Sequence, residues 1–335
     1  MTTPLLAFTQ GDPAGIGPEI LVKVLLDGQA KSYASLLIAE AAALAPLRPV
    51  LPGLAWDLLR PVGSKPDRQL IEWANQGGIA WLDPTGSTRN LEPGKSGAED
   101  AKGALGALDA GIHLVSQGQA DALVTAPLGK KEIADHLLPS FRGHTDYLAE
   151  KAGLGPYGRD YLMAFLSPDL RVALLTVHEP LRQALDAVTP EAILDALRCL
   201  DRHTGGNKKI AVAGFNPHAG ENGLLGKEDQ QQVAPGVERA KAEGINVSGP
   251  YSADSLFARA REGDFDWVLA LTHDQGLIPV KTAAFGQATN WTLGLPYLRT
   301  SVDHGTAHDL AGKGLARVDS LKSVIATTLE LIAGR

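Results

Sequence analysis

Three short, largely apolar runs, each ending in histidine, constrain this chain most. Trp267 to Leu271 is uninterrupted and stops at Thr272-His273-Asp274-Gln275-Gly276. Arg171 to Val177 ends in His178, and Lys209 to Phe215 ends in Asn216-Pro217-His218. A strand covered on both faces reads as such a run rather than as an alternation. Helical patterns over Ala98–Gln117, Asp229–Ala242 and Ser320–Ile332 alternate with the runs. The alternation predicts an α/β fold on a mostly parallel sheet. Sheets of that kind carry their sites at the carboxyl ends of strands, which is where the three histidines fall. The competing reading is three unrelated polar strand ends, and pattern alone leaves both open.

Composition narrows the function. At 335 residues, 44% hydrophobic and 21% charged, the chain exceeds the roughly 250–300 residues one core holds, so two lobes are expected. The net charge is −7 and aromatics make up 5%. With no basic stripe interleaved with aromatics, a nucleic-acid partner is not expected. No uncharged apolar run reaches the length of a membrane span. The start, Met1-Thr2-Thr3-Pro4, lacks the basic residues and long apolar core of a signal peptide. The single Cys199 lies in an apolar helical pattern and reads as a small buried residue. A lone cysteine makes no internal disulfide, so a reducing, cytoplasmic setting is expected.

Other stretches carry polar groups in loops. Leu5–Thr9 reads as a strand leading into Gly11-Asp12-Pro13-Ala14-Gly15-Ile16-Gly17, with Pro18 and Glu19 opening a helix. The loop is either an anion cradle or a structural turn. Its spacing does not match G-x-G-x-x-G, which argues against a Rossmann fold. Asp121–Thr125 is another strand, followed by Ala126-Pro127-Leu128-Gly129-Lys130. His144 and Thr145 either cap a following helix or face a ligand. Lys281, Asn290 and Arg299 supply two cations and an amide, suited to an anionic ligand or to plain solvation. Three imidazoles with an open position are the composition of a catalytic divalent site. Zn, Co, Ni or Fe suits such donors better than Mg. The three are far apart in sequence, so only folding unites them, within one subunit or across two.

Taken together, several stretches resemble the 4-hydroxythreonine-4-phosphate dehydrogenase family of pyridoxal phosphate biosynthesis. They are Gly11 to Glu19, Thr125-Ala126-Pro127 with Lys130, Gly143-His144-Thr145, Asn216 to Glu221, His273 to Gly276, and Arg299 to Ala307. They run in order over nearly the whole chain, with residues 39–90 contributing little. Gly15 to Glu19, and His304-Gly305-Thr306-Ala307 with Asp309, also resemble the isocitrate and isopropylmalate dehydrogenases. The resemblance implies two α/β lobes around a central cleft. Residues 1–125 and 286–335 would form the first lobe, and 126–285 the second, with the dimer contact.

The resemblance further implies His178, His218 and His273 as metal ligands shared between the subunits of a homodimer. Zinc comes first, with cobalt, magnesium or nickel as alternatives. It implies substrate contacts at His144, Thr145, Lys281, Asn290 and Arg299, and NAD or NADP binding at Gly15, Gly17, His304, Gly305 and Asp309. Lys281 would align the substrate, and Asp274 and Asp254 would orient ligand imidazoles. Thr272 stands where the family usually has Tyr, and Glu179 follows His178 where an apolar residue is usual. The expected reaction is oxidation of the C3 hydroxyl of a phosphorylated hydroxy-amino acid, followed by decarboxylation. Alternatives are 4-phospho-threonate or 4-phospho-erythronate as substrate, or a non-redox metal-dependent phosphosugar-binding or lyase protein.

Overall fold

The computed structural model describes residues 3–29, 31–62, 73–74 and 76–334. The chain forms two compact units, Met1–Leu148 with Pro296–Arg335, and Ala149–Leu295. The divisions lie beyond the expected 125 and 286 for identifiable reasons. The helix Lys130–His136 packs on the long helix Ala98–Ser116, and Tyr147 Oη donates to Asp109 Oδ1 at 2.7 Å, which ties 126–148 to the first unit. Thr289–Leu293 is a strand paired antiparallel with Leu162–Leu166, which holds it in the second.

Among the described residues of the first unit, six strands lie in the order β3-β4-β2-β1-β5-β12. They are β1 (Leu5–Thr9), β2 (Ala34–Ile38), β3 (Leu59–Pro61), β4 (Ile79–Leu82), β5 (Ala122–Thr125) and β12 (Leu298–Ser301). All neighbouring pairs are parallel. β1 and β2 are buried at every residue, as uninterrupted apolar runs require. Residues 45–61 hold the short helix Leu47–Val50 and edge strand β3. Both are too brief to show a periodicity.

In the second unit the order is β11-β6-β7-β10-β8-β9. Its strands are β6 (Leu162–Leu166), β7 (Arg171–Leu174), β8 (Ile210–Ala213), β9 (Val247–Tyr251), β10 (Trp267–Ala270) and β11 (Thr289–Leu293). β6 runs against both its neighbours, and β7, β10, β8 and β9 are mutually parallel. The three histidine-tipped runs are thus neighbours, with β10 between β7 and β8. The helix Pro190–His203 is capped by Thr189 Oγ1, which accepts from Ala192 N–H at 3.1 Å. It buries Ile193, Leu197, Cys199 and Leu200. Among the described residues no helix is long and apolar enough to cross a membrane.

Candidate functional site

In the first unit the chain leaves β1 for β2 and β4 on one side, then returns to β5 on the other. That makes the carboxyl ends of β1 and β5 the topological switch point, where open α/β sheets hold ligands. The two exits are joined. Gly11 adopts φ +69°, and a Cβ there would stand 2.0 Å from the Pro127 carbonyl oxygen. Asp12 N–H donates to the same oxygen at 2.8 Å. Only glycine fits this approach.

Polar side chains converge beside that point. Arg299 on β12 is 1% exposed, and its Nη2 donates to Thr125 Oγ1, the last residue of β5, at 2.6 Å. Burial pulls the Arg299 guanidinium down to about 9, opposed by Tyr297, so it stays charged at neutral pH. His144 opens the helix His144–Lys151. Burial holds its imidazole well below 6.5, and the positive charges of Arg299 and Lys130 push the same way. It is therefore neutral at neutral pH. Lys130 lies along Gly143, where a Cβ would be 3.0 Å from Lys130 Cε and 3.4 Å from Nζ. Thr145 is buried next to them. A buried fork, an ammonium group, a hydroxyl and a neutral imidazole make a preorganised grip for an anion.

The glycine loop and the 304–316 segment pack together in the same unit. Ile16 N–H donates to the Thr306 carbonyl at 2.9 Å. A Cβ on Gly15 would be 3.0 Å from that carbonyl oxygen, and one on Gly17 2.1 Å from the Gln10 oxygen. Close packing within the protein therefore accounts for these two glycines. Gly305 differs, since it is exposed and a Cβ there would meet nothing. His304 Nδ1 lies 3.1 Å from the Gly305 oxygen, and Asp309 is exposed. Glu19, fully buried, accepts from Ala316 N–H at 2.8 Å and Gly314 N–H at 3.2 Å. It fixes the segment to the first helix, Gly17–Leu25. Asp12 Oδ2 meets His308 Nε2 at 2.8 Å, while its Oδ1 accepts from Ala14 N–H at 2.9 Å.

In the second unit His178 follows β7, His273 follows β10 and His218 follows β8. The His178 and His273 rings stand 5.7 Å apart between centroids, inclined at 45°. His273 is the first residue of the helix His273–Ala283. Gly276 sits inside that helix, because a Cβ would come within 2.5 Å of Leu174 Cδ2 on β7. His273 Nδ1 is 2.7 Å from Asp274 Oδ1. A proton shared there leaves Nε2 as the ring's donor to a cation. His218 Nδ1 is 3.9 Å from Asp254 Oδ2. Ser252 Oγ donates to Asp254 Oδ1 at 2.5 Å. That bond lowers the Asp254 carboxyl, with His218 adding to the effect.

His218 sits on an unusual backbone. His218, Ala219, Gly220, Glu221 and Asn222 take φ of 53°, 50°, 77°, 42° and 57°, a left-handed turn that L residues avoid. Asp229, 1% exposed, anchors its approach by accepting from Phe215 N–H at 2.6 Å and Asn216 N–H at 2.9 Å. Strain held this firmly is a mark of functional segments. Lys281 lies in the last turn of the helix His273–Ala283. Asn290 lies on β11 opposite Phe165, its Oδ1 buried with no hydrogen-bond partner. Among the described residues of one chain, no group of three or more His, Cys, Asp or Glu is poised to hold a metal ion. Of the three strand-end histidines, His178 and His273 are the two whose rings lie side by side.

Sequence reasoning gave no role to Thr125, Thr176, Gln275, Asp229 or His308. Thr125 had the one readable signal, closing an apolar run as the histidine-tipped strands do.

A model of the family described as "Pyridoxal phosphate biosynthetic protein PdxA" matches residues 62–328. The 4-hydroxythreonine-4-phosphate dehydrogenase of Acidithiobacillus ferrooxidans is 39% identical, over 100% of this chain and 98% of its own. The D-threonate 4-phosphate dehydrogenase of Bordetella bronchiseptica is also 39% identical, over 99% and 93%. The crystal structure of 4-hydroxythreonine-4-phosphate dehydrogenase from Klebsiella pneumoniae superposes with a TM-score of 0.84 at 33% identity, covering 98% of this chain and 100% of that one. This chain therefore belongs to the PdxA family of pyridoxal phosphate biosynthetic proteins.

Proposed function

We propose that this protein oxidises the C3 hydroxyl of 4-phosphohydroxy-L-threonine with NAD(P). The product, 2-amino-3-oxo-4-phosphohydroxybutanoate, loses CO2 to give 3-amino-2-oxopropyl phosphate. The observation that carries the reading is the anion grip of Arg299, Thr125, Lys130 and His144 at the switch point of the first unit. Arg299 and Lys130 hold the phosphate, and Thr145 lines their side of it. Neutral His144 donates or accepts one hydrogen bond without adding charge. In the second unit Lys281 suits a carboxylate, and the buried oxygen of Asn290 suits an amine. Aligning the carbinol hydrogen in this way is where positioning lowers the barrier. When bound, a divalent cation supplies Lewis acidity at the carbinol oxygen, and NAD(P) accepts the hydride.

His178, His218 and His273 would hold that cation, zinc first and cobalt, nickel or magnesium otherwise, with the set shared between the two subunits of a homodimer. Asp274 and Asp254 orient the imidazoles of His273 and His218. Exposed Leu181, Leu224, Ile278 and Phe285 follow His178, His218 and His273 in the chain. Apolar side chains left open near such donors suit a homodimer whose contact completes the site. The bare backbone of Gly305, with His304 and Asp309, takes the adenosine end of the cofactor, and Gly15 and Gly17 shape the wall behind it. Buried, unpaired Cys199 accords with a cytoplasmic protein.

A second reading takes D-threonate 4-phosphate, the acid in the name of the Bordetella relative. Following NADH absorbance with each phosphorylated acid separates the two. Activity must fall on chelation with EDTA and in His273→Ala. Full dehydrogenase activity after both would defeat the metal assignment, and absence of NAD(P) reduction with either acid would defeat the dehydrogenase.

A further inference from the structure

The three histidine-bearing strand ends in the second unit are held together by side chains, because the backbone ladder stops before them. The last backbone bond between β7 and β10 runs from Leu175 N–H to the Ala270 oxygen at 2.8 Å. Beyond it Thr176 Oγ1 donates to the Leu271 carbonyl at 2.8 Å, joining the ends that lead to His178 and His273. Gln275 makes the matching link on the other side. Its Oε1 accepts from Leu271 N–H at 2.7 Å, and its Nε2 donates to the Gly214 carbonyl at 2.8 Å. Gly214 leads directly into the left-handed turn that carries His218. The N–H and the carbonyl of Leu271 are thus both occupied, one by each staple.

We propose that Gln275 is a positioning residue that fixes the His273 strand end and the segment leading to His218, each in its own place, and so tunes divalent-metal affinity. The proposal rests on the metal assignment made above. Gln275 touches neither metal nor substrate in this role. It acts through two backbone segments, because its amide accepts from one peptide while donating to another. Glutamate is nearly isosteric but accepts only. Gln275→Glu therefore keeps the Leu271 bond and sets a carboxylate oxygen against the Gly214 carbonyl, cutting the link on the His218 side alone.

The test is titration of the metal-stripped, full-length protein with cobalt(II) chloride, read by visible absorption, for wild type, Gln275→Glu, Thr176→Val and His273→Ala. Melting temperatures of the metal-free forms are recorded in parallel. Loss of an orienting partner costs about 10–100-fold in metal affinity. Gln275→Glu is expected to bind cobalt that much more weakly, with a changed absorption envelope and a metal-free melting temperature close to wild type. Thr176→Val, which cuts the other staple, should weaken binding in the same direction and carries the test should the glutamate variant not fold. Cobalt affinity within twofold of wild type in both folded variants, with His273→Ala impaired, overturns the positioning role alone. Wild type failing to bind cobalt, or His273→Ala binding as wild type does, overturns the metal assignment and the proposal with it.

Discussion

Replacing Arg89 with methionine should be among the most damaging changes to the first unit, although Arg89 lies outside the anion grip. Its guanidinium meets Glu40 through Nη2 at 3.0 Å and Nε at 3.3 Å, and Asp100 through Nη1 at 2.8 Å. The Glu40 side chain is 1% exposed, that of Asp100 10% and that of Arg89 16%. Burial works against the Arg89 charge, but its bonds to Glu40 and Asp100 outweigh it and hold the pKa above the ordinary value. Removing one partner of a buried pair costs about 3–5 kcal/mol, mostly because the other charge is stranded. Here Glu40 keeps bonds from Gln10 Nε2 and Thr85 Oγ1, both at 3.2 Å, and Asp100 keeps Gly97 N–H at 2.9 Å. Those remaining donors place the expected loss at the lower end, about 3 kcal/mol, or a fall in melting temperature of roughly 6–12 °C. Circular dichroism during urea and thermal unfolding measures it. Glu40→Gln added to Arg89→Met removes the stranded charge and should recover at least half of the loss. A single variant within about 1 kcal/mol of wild type, or a double variant no better than the single, would refute the reasoning.

Three further outcomes are expected. His144 stays neutral in the folded protein well below 6.5, so as pH falls through about 6.5 the unfolded chain takes up a proton that the native state does not. Wild type then loses stability at up to about 1.4 kcal/mol per pH unit relative to His144→Gln; parallel urea curves at pH 7.5 and 5.5 would contradict this. Arg299→Met should weaken competitive inhibition by inorganic phosphate about 10–100-fold, the worth of a charge-assisted fork, without lowering the melting temperature of the ligand-free protein; an inhibition constant within twofold of wild type argues against the grip. Ala219→Gly should raise stability in urea by up to about 1 kcal/mol, because relief of a φ of 50° outweighs the added freedom of the unfolded chain; a destabilised variant would show that the left-handed turn stores no strain.

The parallel core was readable because buried strands must be apolar on both faces, and β1, β2, β5, β8 and β10 are buried throughout. The positions of His178, His218 and His273 followed, since the end of an apolar run is a local property. Their mutual arrangement was not local. Nothing in the spacing shows that β10 lies between β7 and β8, or that one chain brings only the His178 and His273 rings side by side. The helix starting at His273 was also hidden, because Gly276 reads as a turn until Leu174 and Val172 are seen to fill the space its Cβ would need. Gly15 and Gly17 pose the same problem in reverse. They look like a ligand cradle, yet Thr306 and Gln10 crowd them from within the protein.

The side chains that hold the site in shape are the least readable of all, and the reason is physical. Where a parallel ladder ends, each strand leaves a peptide group that must find a partner or water. At these strand ends the partners are Thr176 for Leu271, 95 residues away, Gln275 for Gly214, 61 residues away, and Asp229 for Phe215 and Asn216. A threonine, a glutamine and an aspartate in such places have the composition of any loop. The proposed metal and substrate donors announce themselves by residue type, because imidazole and guanidinium are scarce and chemically particular. Anchoring groups are interchangeable in type and specific only in position. A search for determinants of metal affinity in this protein should therefore start from unpaired backbone groups at strand ends and work back to the side chains that satisfy them.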